Sequence, residues 1–95
     1  MRDYEVMVIF DPDADQAAID GVVSRATSLL AERGGEVESS ETWGKRKLAY
    51  EIDHRSEGIY VLVKFRAEPG DLTELERVLT LADQVLRHKV VKRAA

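Results

Sequence analysis

The chain has 95 residues, of which 44% are hydrophobic and 34% charged, and a formal net charge of −4; this suffices for one globular domain and is too little for two separate cores. It contains no cysteine, which excludes disulfides, thiolate zinc sites and thiol catalysis, and no apolar run near the roughly 18–20 residues that cross a bilayer. The opening MRDYEVMVIFD has a short apolar run bounded by acids rather than the shape of a signal peptide, so a cytoplasmic address is expected.

Arg2 to Phe10 reads as a strand, with Tyr4, Val6, Val8 and Phe10 on one face and Glu5, Met7 and Ile9 on the other. Asp11-Pro12-Asp13 ends it, because proline donates no ladder hydrogen bond and aspartate folds back on the backbone. A helix is expected from Asp15 to Arg33. Ile19, Val22, Val23, Ala26, Leu29 and Leu30 form one stripe, Asp13 or Asp15 caps the first amides, and Gly34-Gly35 supplies the left-handed exit. Gly21 inside that helix costs about 1 kcal/mol against alanine, which close approach to the sheet would explain.

Glu36 to Ile52 is extended, with a bulge or bend expected at Gly44. Asp53 to Gly58 reads as a polar loop and Ile59 to Ala67 as a strand rich in Ile, Tyr, Val and Phe, antiparallel to its predecessor. After Glu68-Pro69-Gly70, Asp71 and Glu74 have the spacing of a capping box for a second helix, whose buried side carries Leu72, Leu75, Val78, Leu79 and Ala82. A last strand runs from Val85 to Lys92. The order βαββαβ predicts a single α+β domain over residues 1–95, ferredoxin-like, with two helices on one face of a four-stranded antiparallel sheet.

The other face of that sheet is expected to be bare. With Ile59, Val61, Val63 and Phe65 turned to the helices, Tyr60, Leu62, Lys64 and Arg66 turn outward, and Met7, Ile9, Tyr60 and Leu62 gather as an apolar patch. Charge is also unevenly spread. Residues 1–44 hold three Lys/Arg against ten acids, whereas residues 45–95 hold eleven against eight. The segment WGKRKLAY, Trp43 to Tyr50, sets three consecutive cations beside the single tryptophan. An aromatic ring with clustered cations suits a wet, phosphate-bearing interface, although a tryptophan is more often a packing residue. Arg46 and Lys47, adjacent in a strand, point to opposite faces, so the three cations do not all serve one surface.

Catalysis finds no constellation. His54 and His88 are far apart in sequence without a companion nucleophile. Asp11, Asp13 and Asp15 lack the twelve-residue calcium-loop pattern and read as caps, and Gly34-Gly35 ends a helix where a phosphate loop would open one. No enzyme activity, cofactor, metal or small-molecule substrate is expected, and no membrane association.

Met1-Arg2-Asp3-Tyr4-Glu5, Gly34-Gly35, Trp43 to Tyr50 with its WG-x-R-x-LAY pattern, Gly58-Ile59-Tyr60, Glu74 to Arg77 and Val85 to Arg87 together resemble the bacterial small-subunit ribosomal protein S-six family, over essentially the whole chain. The resemblance implies a ferredoxin-like structural protein of the ribosome. It would bind small-subunit ribosomal RNA in the central domain, or platform, as a heterodimer with ribosomal protein S-eighteen. An acidic protein can enter such a particle if a basic partner supplies most of the neutralisation. On this basis Trp43, Leu48, Tyr50 and Tyr60 are assigned to the protein partner, and Arg2, Lys45, Arg46, Arg87, Lys89, Lys92 and Arg93 to RNA. Some family members carry a long acidic C-terminal tail; the sequence ends in KRAA, and no role of such a tail is expected.

Two other readings share the topology. A stand-alone RNA-recognition module would stack bases on aromatic rings of the first and third strands, but Met7 and Ile9 offer no ring on the outward side of the first. A metabolic regulatory or enzymatic domain, dimeric through its sheet, leaves little trace in sequence.

Overall fold

The structure, a computed structural model, describes residues 1–93. Its elements follow in the order β1 (Arg2–Phe10), α1 (Gln16–Glu32), β2 (Glu36–Ile52), β3 (Arg55–Ala67), a short 3-10 turn (Pro69–Asp71), α2 (Leu72–Leu81) and β4 (Val85–Lys92). The strands form one sheet in the order β2-β3-β1-β4 with every neighbouring pair antiparallel. This is the ferredoxin-like α+β arrangement expected from the element order.

The period-two alternation of β1 and β3 decides which face is packed. Tyr4, Val6, Val8 and Phe10 pair with Phe65, Val63, Val61 and Ile59, and directly opposed residues share a face. Against them lie Ile19, Val22, Ala26 and Leu30 of α1 and Leu75 and Leu79 of α2, all buried in one cluster. Phe10, Phe65 and Leu75 are wholly enclosed; each such side chain contributes about 1.5–3 kcal/mol of transfer free energy. The rings of Tyr4 and Phe65 lie 5.7 Å apart, tilted by 31°.

The ends of α1 follow the expected chemistry. Asp15 is the cap, its Oδ1 accepting the Ala18 N–H at 2.8 Å. Gly34, at φ +82, turns the chain out, and the Gly35 N–H donates to the Leu30 carbonyl at 2.8 Å. Gly21 departs from expectation. It is solvent-exposed, and an added Cβ there would meet nothing within 4 Å, so close approach to the sheet is not its role. The start of α2 departs too. Asp71 makes no capping hydrogen bond, because the preceding 3-10 turn has already placed it in helical conformation and its Oδ1 instead faces Arg33 Nη1 at 3.4 Å.

The β2–β3 hairpin is tighter than a six-residue loop. Asp53 and His54 close it alone, at φ +48 and +64, so β3 begins at Arg55 instead of Ile59. Two consecutive residues of positive φ are what a primed two-residue turn demands. Register shifts interrupt the pairing between Val37 and Ser39, between Thr42 and Gly44, and between Lys47 and Ile52. The middle one falls at Gly44, at φ +84, where the bend was expected.

Candidate protein and nucleic-acid interface

Among the described residues no helix covers the second sheet face, and the strand registers lay it out as rows running across all four strands. One row reads Gly44, Tyr60, Ile9, Arg87; the next reads Glu41, Leu62, Met7, Lys89; the third reads Ser39, Lys64, Glu5, Val91. The expected outward set of Met7, Ile9, Tyr60 and Leu62 therefore lies together in the middle of this face. Leu62 is only 8% exposed yet belongs to no part of the helix-side core, and the same holds for Leu48.

Gly58 explains how these two are buried without a helix. It precedes Tyr60 by two residues and so sits on the bare face. A Cβ added there would stand 2.5 Å from Ile9 Cγ2 and 3.5 Å from Leu48 Cδ2. The absent side chain lets Ile9 and Leu48 close over the β3 backbone, which draws the end of the β2–β3 hairpin across the sheet. Arg55 fastens that end, its Nη2 lying 2.8 Å from Asp11 Oδ2 just beyond β1. The Asp13 N–H donates to Asp11 Oδ1 at 2.9 Å and, with Arg55, holds the Asp11 carboxyl below its ordinary range despite some burial.

Two arginine–aromatic pairs involve this hairpin, one within β2 and one between β2 and β4. The Arg46 guanidinium carbon stands 5.7 Å from the centre of the Trp43 ring, and Trp43 Nε1 donates to Glu41 at 3.3 Å. The Arg87 guanidinium carbon stands 5.6 Å from the Tyr50 ring centre, and Arg87 Nη1 donates to the Tyr50 hydroxyl oxygen at 2.6 Å. Trp43 is 42% and Tyr50 60% exposed. WGKRKLAY thus separates into three parts: an exposed ring under an arginine, a buried Leu48 anchor, and a second exposed ring that meets the far edge of the sheet.

The opposite end of the bare face is closed by charge. Arg93, just past β4, donates through Nη1 to Glu38 Oε2 at 2.9 Å and lies 3.6 Å from Asp3 Oδ1. Its Nη2 also donates to the Phe65 carbonyl at 3.4 Å, while Nε is buried with no hydrogen-bond partner among the described residues. The Glu38 carboxyl is held below its ordinary range chiefly by the Arg93 hydrogen bond, and the Arg93 guanidinium is raised for the same reason. Arg66 joins the cluster at 3.1 Å from Asp3 Oδ1.

Of the residues assigned from sequence, Arg46, Leu48, Tyr50, Tyr60, Arg87 and Lys89 are brought to the bare face or its rim. Arg2 pairs with Ala67, Lys92 with Tyr4 and Lys45 with Ile59, all on the helix side, so these three lie on the other surface of the sheet. Arg2, Lys45, Arg46, Arg87, Lys89 and Lys92 are exposed and, among the described residues, none faces a carboxylate within ion-pair distance. Arg93 differs: it is only 20% exposed in its side chain and is spent on Glu38 and Asp3. Ile9 and Gly58, which shape the surface, were not singled out as site residues. Their signal is tertiary, since only the register reveals that one needs the space the other leaves. Among the described residues no cluster of potential metal ligands occurs.

One face packed by two helices and one face left open define a ferredoxin-like α+β protein. The family model described as Ribosomal protein S6 matches residues 3–92. Small ribosomal subunit protein bS6 of Streptomyces griseus is 46% identical over 97% of this chain and 96% of its own length. The same protein of Caldanaerobacter subterraneus is 45% identical over 97% of both chains. The crystal structure of 30S ribosomal protein S6 from Thermotoga maritima superposes with a TM-score of 0.88 at 32% identity, covering 97% of this chain and 87% of that one. The C-terminal domain of the MgtC protein from Mycobacterium tuberculosis, 16% identical at a TM-score of 0.70, shares the fold alone. The chain belongs to the ribosomal protein S6 family of the small ribosomal subunit; it is a structural ribosomal protein and not an enzyme. That membership carries the cytoplasmic, small-subunit address.

Proposed function

We propose that the chain binds small-subunit ribosomal RNA in the central domain, or platform, as a heterodimer with ribosomal protein S-eighteen. The observation that carries this reading is the partition of its arginines and lysines. Arg33, Arg55, Arg66, Arg77 and Arg93 are paired with acids of the fold, whereas Arg25 of α1, Lys47 and Lys64 share with the RNA candidates the lack of an acidic partner among the described residues. The exposed Arg2, Lys45, Arg46, Arg87, Lys89 and Lys92 keep their charge for an outside anion. Phosphate is the anion such a rim meets in a ribosome, with affinity that falls as salt rises. Trp43, Leu48, Tyr50 and Tyr60 are the residues assigned to the partner-facing surface; of these, Leu48 is buried beside Gly58 and Ile9. A net charge of −4 opposes tight RNA binding by the chain alone, so the partner must supply much of the neutralisation.

Filter binding of a small-subunit ribosomal RNA transcript, with and without S-eighteen, tests this. Weak binding alone and strong binding with the partner is expected. Equally tight binding in both cases would remove the coupled account, and failure to bind in both would remove the RNA reading. A salt titration adds a second check: Lys89→Ala in the heterodimer should reduce the slope of log affinity against log salt by about one.

A further inference from the structure

The residues assigned to the protein partner and to RNA are not separate populations. Each of two aromatic side chains on the partner side carries an arginine of the RNA side, Trp43 with Arg46 and Tyr50 with Arg87. The first pair is local, three residues apart on one strand. The second joins β2 and β4, which are opposite edges of the sheet. A flexible arginine loses rotamer freedom when it grips a phosphate, and a guanidinium already stacked and hydrogen-bonded has lost much of it beforehand. Arg87 offers Tyr50 one donor, from Nη1, at 2.6 Å. A guanidinium has five N–H groups, so donors remain for a phosphate. The Tyr50 hydroxyl, accepting from Arg87, keeps its own proton to donate elsewhere.

We infer that Tyr50 is a positioning residue for Arg87: its ring and hydroxyl oxygen fix the guanidinium plane for phosphate, and so couple the partner-facing hairpin to the RNA-facing edge strand. The inference rests on the RNA and partner reading above. It assigns Tyr50 a role in RNA affinity that no contact between Tyr50 and RNA is needed to explain.

The test compares Tyr50→Phe, Tyr50→Leu, Arg87→Gln and the double variant Tyr50→Phe/Arg87→Gln. Each is purified as the heterodimer with S-eighteen and titrated with the ribosomal RNA transcript at several salt concentrations. Arg87→Gln should weaken binding and lower the salt slope by about one. Tyr50→Phe should weaken binding about threefold to tenfold with the salt slope unchanged, because the charge stays while its orientation is lost. Tyr50→Leu should weaken it at least as much, and the double variant no more than Arg87→Gln alone. If Arg87→Gln weakens binding and both Tyr50 variants bind as the parent does, the positioning role is wrong while the RNA reading stands. If Arg87→Gln itself has no effect, Arg87 does not meet phosphate and both its assignment and this inference fall. Additive losses in the double variant would also overturn the inference, since they show Tyr50 acting apart from Arg87.

Discussion

Arg87 of β4 donates to the hydroxyl of Tyr50 of β2 across a sheet in which β3 and β1 stand between their strands. Three strand spacings amount to roughly 14 Å, so the contact records a hairpin that leans over the open face. Leu48 packing beside Ile9, over Gly58, is what makes it lean. Both partners of the Tyr50–Arg87 contact are exposed, and exposed polar pairs contribute little to folding. Tyr50→Phe should therefore change the free energy of unfolding by about 0.5 kcal/mol or less, measured by urea denaturation. A loss of several kcal/mol would show the contact to be a structural element of the fold.

Gly58 should tolerate no side chain. A Cβ would lie 2.5 Å from Ile9 Cγ2 and 3.2 Å from the Phe10 carbonyl oxygen, at a site enclosed by β1 and the hairpin. Gly58→Ala is expected to cost about 1–3 kcal/mol through overpacking. The drop in urea midpoint checks it, and an unchanged midpoint would mean that Ile9 has room to move aside.

Gly21 should behave in the opposite way. It lies inside α1, faces solvent, and has open space where a Cβ would go. Gly21→Ala is expected to stabilise the protein by about 0.5–1 kcal/mol, mainly by restricting the unfolded chain. For a domain of this size that raises the thermal midpoint by about 2–8 °C, readable by circular dichroism.

Acid should weaken the fold through two carboxylates. The Glu38 carboxyl is depressed from an ordinary 4.5 by the Arg93 hydrogen bond, and that of Asp11 from 3.8 by the Asp13 amide and Arg55. A depressed folded value means that the unfolded chain binds protons first as pH falls. The stabilisation is thus fully present above the ordinary values and is lost as pH drops through the folded ones. Urea midpoints taken from pH 7 down to pH 3 should fall most steeply at the acid end. Glu38→Gln combined with Asp11→Asn should flatten that fall, and a parallel curve for the double variant would rule out these two pairs as its source.

The local pattern was sufficient for the elements. Tyr4, Val6, Val8 and Phe10 alternate because every second side chain of a strand enters one layer, and Ile19, Val22, Ala26 and Leu30 recur because one helical stripe must meet that layer. Those periods, with Pro12 and Gly34-Gly35 as punctuation, determined the βαββαβ order and hence which face would be packed. They also determined that Met7, Ile9, Tyr60 and Leu62 share the other face. The Asp53-His54 turn was hidden because His54 stands where a primed two-residue turn usually carries glycine, although both residue types tolerate positive φ. The Asp71 cap failed because a 3-10 turn, invisible to spacing, reached it first.

What the tertiary structure alone decided concerns pairs distant in sequence. Residue types show that Arg87 and Arg93 are both cations near the C-terminus. Only the register puts Arg93 beside Glu38, which neutralises it, and Arg87 beside Tyr50, which leaves its charge free. The same holds for Leu48, whose burial depends on a space that Gly58 leaves one strand away. Periodicity reports which way a side chain points relative to its own backbone. Which partner it meets depends on strand order and bulges, and those are settled by packing of the whole sheet.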